Sequence, residues 1–182
     1  MPSEAPPPGS LLTEELRGWI GREVSYEAPE ELGRAAIRYH ALALGDDNPL
    51  YRDEHHASGT RFSGVIAPPT LVVETNQYTD LPTRPEDGYN GHAWEGLPLP
   101  VPCTLVRGGN EYELLRPVRP DDRLRVRWSI EEITERQGRA GPMLVLLALG
   151  EYRNQRDELL ATNRDTTIFL PVAPPPEGTE SA

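Results

Sequence analysis

Residues 41–53 read Ala-Leu-Ala-Leu-Gly-Asp-Asp-Asn-Pro-Leu-Tyr-Arg-Asp, a run that passes from apolar helix to acidic turn within a few positions. Gly45 is a helix stop, since glycine takes the left-handed conformation that closes a last turn without a Cβ penalty. Asn48 precedes a proline and is therefore held extended or in a turn. Upstream, Pro29 suits a first helical position, and Glu30 and Glu31 suit the positive N-terminal end. The spacing thus predicts a helix from Pro29 to Gly45, with Leu32, Ala36, Tyr39 and Ala43 on its inner face and Arg34, Arg38 and His40 elsewhere. Further out, Leu12, Leu16, Trp19 and Ile20 predict a helix over Ser10–Ile20, and the alternation around Val24 and Tyr26 predicts a strand over Glu23–Glu27.

Downstream, Pro68-Pro69-Thr70 opens a helix expected to run to about Tyr78. Its start, Leu71-Val72-Val73, is apolar all round, as in a helix wrapped by other structure. Residues 79–101 form a long Pro/Gly-rich segment carrying His92 and Trp94. From Cys103 the pattern is β, with a break at Gly108-Gly109 and a turn at Pro120-Asp121-Asp122. Leu124, Val126, Trp128 and Ile130 then alternate with Arg123, Arg125, Arg127 and Ser129 as a half-buried strand. Met143–Leu149 is a continuous apolar run, hence a central strand, and a last strand spans Leu159–Leu170. A long antiparallel sheet curled around one apolar helix satisfies this order, an α+β class. Residues 1–9 and 172–182 are Pro-rich tails, leaving 10–171 as one domain.

The chain has 182 residues and a net charge of −11, so no positive field draws it toward nucleic acid or an anionic membrane. All 18 basic residues are arginine, which excludes a Schiff-base lysine or a lysine-bearing phosphate loop. One cysteine, Cys103, excludes an internal disulfide and a cysteine zinc cluster. With no run of about 18 apolar residues and no basic-then-apolar leader, a cytoplasmic enzyme or binding protein is expected.

The Ala41–Asp53 run resembles the hydratase segment of MaoC-like (R)-specific enoyl-CoA hydratases and dehydratases, roughly A-x-x-x-G-D-x-N-P-[LI]-H-x-D. Ala41, Gly45, Asp46, Asn48, Pro49, Leu50 and Asp53 match in register. Gly64-Val65-Ile66-Ala67-Pro68-Pro69-Thr70 resembles the lead into that family's central helix. Gly109-Asn110-Glu111-Tyr112 and Arg116-Pro117-Val118-Arg119-Pro120-Asp121-Asp122 resemble its second strand and following turn. The similarity covers about residues 18–170. It implies a hot-dog fold, an antiparallel sheet wrapped around a long central helix. The tyrosine after Asn-Pro-Leu, the Ala-Pro-Pro-Thr helix start and the long insertion look like the FAS1-like dehydratase branch. Members of that branch often form the substrate-binding half of a pair, or the N-terminal half of a double hot-dog.

Hydrating an enoyl thioester needs a base for water, an acid for the α-carbon and donors for the enolate oxygen. The resemblance places Asp46 at the family's aspartate and Tyr51 where its histidine stands, and Asn48 completes the candidate catalytic set. A phenol is neutral near pH 7 and donates a hydrogen bond, whereas imidazole both accepts and returns a proton there. At the helix start the family's His-Gly becomes Pro68-Pro69, and proline has no N–H to offer an oxyanion. Asp46, Asn48 and Tyr51 can equally be turn-capping and packing residues, or contact ligand without catalysing.

Pro68, Pro69, Thr70, His92, Trp94 and Arg116 are the candidate substrate-binding residues, with local packing the alternative for His92 and Trp94. Arg107, Arg116, Arg119 and the row Arg123, Arg125, Arg127 either meet coenzyme A phosphates or form a solvated face. His55 and His56 read as a solvated pair. Asp53, His55 and His56 make too loose a cluster for a metal, so no metal and no cofactor beyond the coenzyme A thioester substrate are expected.

The reading is an acyl-CoA-binding hot-dog subunit of an (R)-specific enoyl-CoA hydratase or 3-hydroxyacyl dehydratase in fatty acid metabolism. It would pair with a catalytic hot-dog partner as a heterodimer or heterotetramer. The alternatives are a self-sufficient homodimeric hydratase using Asp46 and a non-catalytic thioester-binding or scaffold protein.

Overall fold

The structure, a computed structural model, describes residues 9–73, 94, 96–139 and 141–172. A short helix α1 (Glu14–Arg17) is followed by strand β1 (Glu23–Glu27) and helix α2 (Arg34–Leu44). A 3-10 turn (Pro49–Tyr51) leads to the short helices α3 (Glu54–Ser58) and α4 (Pro69–Val73). Four long strands then complete the chain: β2 (Cys103–Leu114), β3 (Arg125–Gly138), β4 (Gly141–Arg153) and β5 (Leu159–Pro171). They form one five-stranded antiparallel sheet in the order β1-β3-β4-β5-β2. The apolar Met143–Leu149 run lies in β4, the middle strand, as expected.

One face of the sheet holds the core. Leu144, Leu146, Ala148 and Tyr152 of β4 point inward beside Val126, Trp128 and Ile130 of β3, all 4% exposed or less. Leu71, Val72 and Val73 of α4 are buried on that side, and the Tyr152 hydroxyl donates to the Val73 carbonyl at 3.4 Å. Each buried aliphatic side chain contributes about 1.5–3 kcal/mol, so this interior dominates the stability. The expected extension of the central helix to Tyr78 lies outside the described residues. No helix among the described residues is long and apolar enough to cross a membrane.

Four expectations are corrected. The helix expected from Pro29 starts at Arg34, because the Leu32 and Gly33 N–H groups donate to the Asp122 and Pro120 carbonyls, and Gly33 has φ 77°. Its buried residues are Ile37 and Ala41, while Tyr39 and Ala43 face solvent. The helix expected over Ser10–Ile20 is one turn, closed at Gly18, although Leu12, Leu16 and Trp19 are buried as expected. Gly108-Gly109 does not break the strand; it makes a bulge within β2. A Cβ on Gly108 would lie 2.9 Å from the Thr166 carbonyl oxygen, so the crossing backbone requires glycine there.

The outer face near β1 is an ion-pair ladder. Arg123 meets Glu27, Arg127 meets Glu23 and Glu151, and Arg153 meets Glu151. The hydrogen bond from Arg127, with Arg153 beside it, holds the Glu151 carboxyl below the usual range against the opposing effect of burial. A carboxylate depressed in the fold stabilises it above its unfolded pKa, about 4.3, and that contribution disappears as pH falls through the folded value. Glu151→Gln is therefore expected to cost about 1 kcal/mol at pH 7, or roughly 2–4 °C in Tm. In melts taken from pH 7 down to pH 3 the deficit should shrink below about pH 4. A deficit constant across that range would contradict the assignment.

Candidate functional site

The acidic loop is built by its own side chains. Gly45 closes α2 in the left-handed conformation (φ 68°), and the Asp46 N–H returns to the Ala41 carbonyl at 2.9 Å. Asp46 Oδ1 accepts the Asn48 N–H at 3.0 Å, and Asn48 Oδ1 accepts the Leu50 N–H at 3.1 Å. These successive Asx turns start the 3-10 turn and set Tyr51 beside the two polar residues. Burial and the Asp46 carboxylate push the Tyr51 phenol up from its ordinary value, and a hydrogen bond from the Asn48 side chain opposes them. The phenol is thus a neutral donor throughout the physiological range. The structure brings Asp46, Asn48 and Tyr51 together, with Asp46 and Asn48 already engaged by backbone amides.

α3 follows directly. Its N-cap Asp53 accepts the His56 N–H at 3.0 Å, and that bond, with the two imidazoles, holds the Asp53 carboxyl below its usual range. His55 and His56 are both exposed. No group of three His, Cys, Asp or Glu among the described residues is placed to hold a metal ion.

The segment entering α4 is nearly without free amides. The N–H of Gly64 donates to Ala57, Ile66 to Leu50, Ala67 to Val118 and Leu71 to Pro68, all through backbone carbonyls. Val65 N–H reaches Glu54 Oε2 at 3.5 Å, and Pro68 and Pro69 have none to give. From Gly64 to Leu71 only Thr70 keeps an N–H without a recorded acceptor among the described residues. Arg119 fixes this segment from the other side, donating to the carbonyls of Gly64 and Phe62. The Thr70 hydroxyl pairs with His40 Nε2 at 3.1 Å, an imidazole that the sequence pattern left on the outside of its helix.

Beside α4 opens a cavity of about 430 Å³, within the roughly 300–1,000 Å³ range of small-molecule sites. Its wall is apolar, with Phe62, Ile66, Val72, Leu114 and Leu160, and its polar members are Arg61 and Arg116. Of the residues singled out from the sequence, Pro69 and Arg116 line it. Pro68 is buried outside the wall, Thr70 turns toward α2, and Trp94 packs against the core half-buried. His92 lies outside the described residues. Asp46, Asn48 and Tyr51 are not in the wall. Arg61, Phe62 and the Leu114-Leu115 pair went unnoticed in the sequence; two consecutive leucines ending a polar-faced strand were the available signal. In the arginine row that leads into β3, Arg123, Arg125 and Arg127 each meet a carboxylate.

Against known proteins, the family model that matches is the FAS1-like dehydratase domain region, over residues 18–163. A UPF0336 protein of Parafrankia sp. (strain EAN1pec) is 31% identical over 163 residues, covering 86% of this chain and 95% of that protein. A probable enoyl-CoA hydratase alpha subunit of Thermomonospora curvata is 28% identical over 162 residues, covering 86% of this chain and 51% of that protein. Among solved structures, the ChsH1-ChsH2 complex of Mycobacterium tuberculosis superposes with a TM-score of 0.69 at 17% identity, covering 88% of this chain and 96% of that one. With a match running from before β1 into β5 and a five-stranded antiparallel sheet closed over an apolar helix, the chain belongs to the FAS1-like dehydratase domain family and has the hot-dog fold of the MaoC-like dehydratases and hydratases.

Proposed function

We propose that the chain is the acyl-thioester-binding subunit of an (R)-specific enoyl-CoA hydratase or 3-hydroxyacyl thioester dehydratase, working with a second hot-dog chain that supplies base, acid and oxyanion donors. The observation that carries this reading is the wall of the cavity beside α4. Among the described residues it holds apolar side chains and two arginines, and no carboxylate or imidazole. A group that moves a proton must come within hydrogen-bonding reach of the substrate, and the described residues of this wall offer none. The neutral phenol at position 51 and the amide-poor entry to α4 support the same division of labour. So does the likeness to a protein named as an alpha subunit and to one chain of a two-chain complex.

The edges of the sheet fit such pairing. Beyond β1, the outer half of β3 is guarded by Glu131, Glu132 and a bulge, and Glu135 takes hydrogen bonds from Ser10, Leu11 and Leu12. β2 has no neighbour on its outer side among the described residues and displays Leu105, Val106 and Leu114, each at least 39% exposed. An open apolar edge is where another strand adds.

The test is crotonyl-CoA hydration by the purified chain, alone and reconstituted with its partner. The chain alone should bind the thioester with little or no turnover, and the pair should turn over. Robust turnover by the chain alone, abolished by Asp46→Asn, would establish the self-sufficient hydratase instead. Failure to bind any thioester would favour a scaffold role.

A further inference from the structure

An antiparallel sheet with one face in water alternates apolar and polar residues along each strand. β3 keeps that rule over its first turns of pleat, where Arg125, Arg127 and Ser129 point away from the core. β4 breaks it. Leu144, Leu146 and Ala148 are buried on the inner face, yet the residues between them on the outer face, Val145 and Leu147, are aliphatic too, as is Leu149. These three are half-buried and are absent from the core cluster of the inner face. β5 extends the outer patch with Ile168, which stands beside Val145, and with Leu170, 39% exposed. A strand apolar on both faces suits a sheet that is covered on both. Among the described residues the core covers only one.

The strand registers select what covers the other. One row across the outer face runs Thr134, Val145, Ile168, Val106, and another runs Arg127, Glu151, Thr162, Glu113. The second row carries opposite charges at its two ends, arginine on β3 and glutamate on β2. A two-fold axis parallel to the strands, placed between β4 and β5, sets β4 of one copy over β5 of another and β3 over β2. Each row then faces itself reversed. Val145 meets Ile168 of the second copy, and Arg127 meets Glu113 of the second copy, each contact made twice, as an isologous interface requires. Neither this row nor the Ser129, Leu149, Arg164, Glu111 row beside it sets two like charges opposite one another. Strands lie about 4.8 Å apart and rise about 3.4 Å per residue, so four strands over about ten residues offer roughly 600 Å² per copy. Two such faces together exceed the roughly 1,000 Å² in total of a biological interface. We propose that the outer face of the sheet is an interface between two copies of this chain, stacked face to face about that axis with their aliphatic side chains interdigitated. The stack does not depend on the thioester-binding reading, and it leaves the outer edge of β2 free for a second hot-dog chain.

Sedimentation equilibrium of the full chain alone tests this, with a melt of each variant beside it. The wild-type chain should be a dimer. Leu147→Glu puts a carboxylate at the centre of the patch and should weaken self-association by about a hundredfold or more, the effect of losing a central anchor. Glu113→Arg changes an exposed position, so the fold should be untouched. It sets an arginine against Arg127 of the second copy and should weaken the dimer about tenfold. Adding Arg127→Gln to Glu113→Arg removes the clash and should recover most of that loss. A wild-type monomer overturns the proposal. If Leu147→Glu then lowers the melting temperature, the chain covers the face itself, and if it instead abolishes association with the hot-dog partner, the face belongs to that partner. A dimer that withstands both Leu147→Glu and Glu113→Arg is joined elsewhere and overturns the proposal as well. A dimer broken by Leu147→Glu but indifferent to Glu113→Arg overturns the placement of the axis.

Discussion

Asp122→Ala is expected to remove about 2–4 kcal/mol of stability, the largest loss of any single truncation outside the apolar core. The carboxylate is 1% exposed and has three partners. Oδ2 accepts the Arg119 N–H at 2.8 Å, and Oδ1 accepts Asn154 Nδ2 at 3.1 Å and an Arg156 guanidinium nitrogen at 2.6 Å. Alanine leaves the amide of Arg119 and the side chain of the equally buried Asn154 short of an acceptor in a dry place. Arg156, half exposed, can turn to water and loses less. Asp122→Asn keeps one acceptor but aims an N–H at a donor, so it should fall between wild type and alanine. Urea unfolding measures both losses, and an alanine loss below about 1 kcal/mol would show that the turn is held by other contacts.

The same substitution should also reach the ligand. The Pro120–Asp122 turn anchors the entry to α2 through Leu32 and Gly33, and it directs the neighbouring Arg119 onto the Phe62 and Gly64 carbonyls. Those bonds shape the cavity beside α4. Loosening the turn should therefore weaken thioester binding even under conditions where the variant remains folded. This gives physical content to Arg116–Asp122, a stretch that in the sequence was only part of a resemblance. Its last carboxylate holds the loops around the site in place, and its first guanidinium lies at the cavity rim.

What the sequence disclosed, and what it hid, follows from the range of the interactions. β1 was legible over its full extent, and so was the end of α2 at Gly45, because alternation and a left-handed stop are local. The arrangement of Asp46 and Asn48 was legible for the same reason: each side chain bonds an amide two residues ahead. The inner face of α2 was not. Its alanines and leucines spread around the helix, and only its tertiary docking decided that Ile37 and Ala41, rather than Tyr39 and Ala43, turn inward. The bulge at Gly108 depends on Thr166 across the sheet, nearly sixty positions later, so the glycine pair read as a break. The cavity was least legible of all. Phe62, Val72, Leu114 and Leu160 meet only once four separate segments of the chain have packed.

The edge proposed for pairing makes the second large prediction. With a second hot-dog chain added to β2, Val106→Lys is expected to weaken association by about 2–4 kcal/mol, roughly 30- to 700-fold, as for loss of a central interface residue. Val106 is 40% exposed and stands opposite Ile168 of β5, on the outer face of the sheet rather than in the core. Lysine at that position can keep its ammonium in water while the chain is alone, so the melting temperature of the isolated chain should change little. In the pair, the ammonium must be desolvated at the seam or the two edges must part. A charge on an edge strand opposes the addition of another strand without harming the sheet that bears it. The measurement is sedimentation of the reconstituted pair, read beside a melt of the isolated variant. Association unchanged by Val106→Lys would place the partner on another surface. Association lost together with the fold would make Val106 a residue of the core, which its exposure and register contradict.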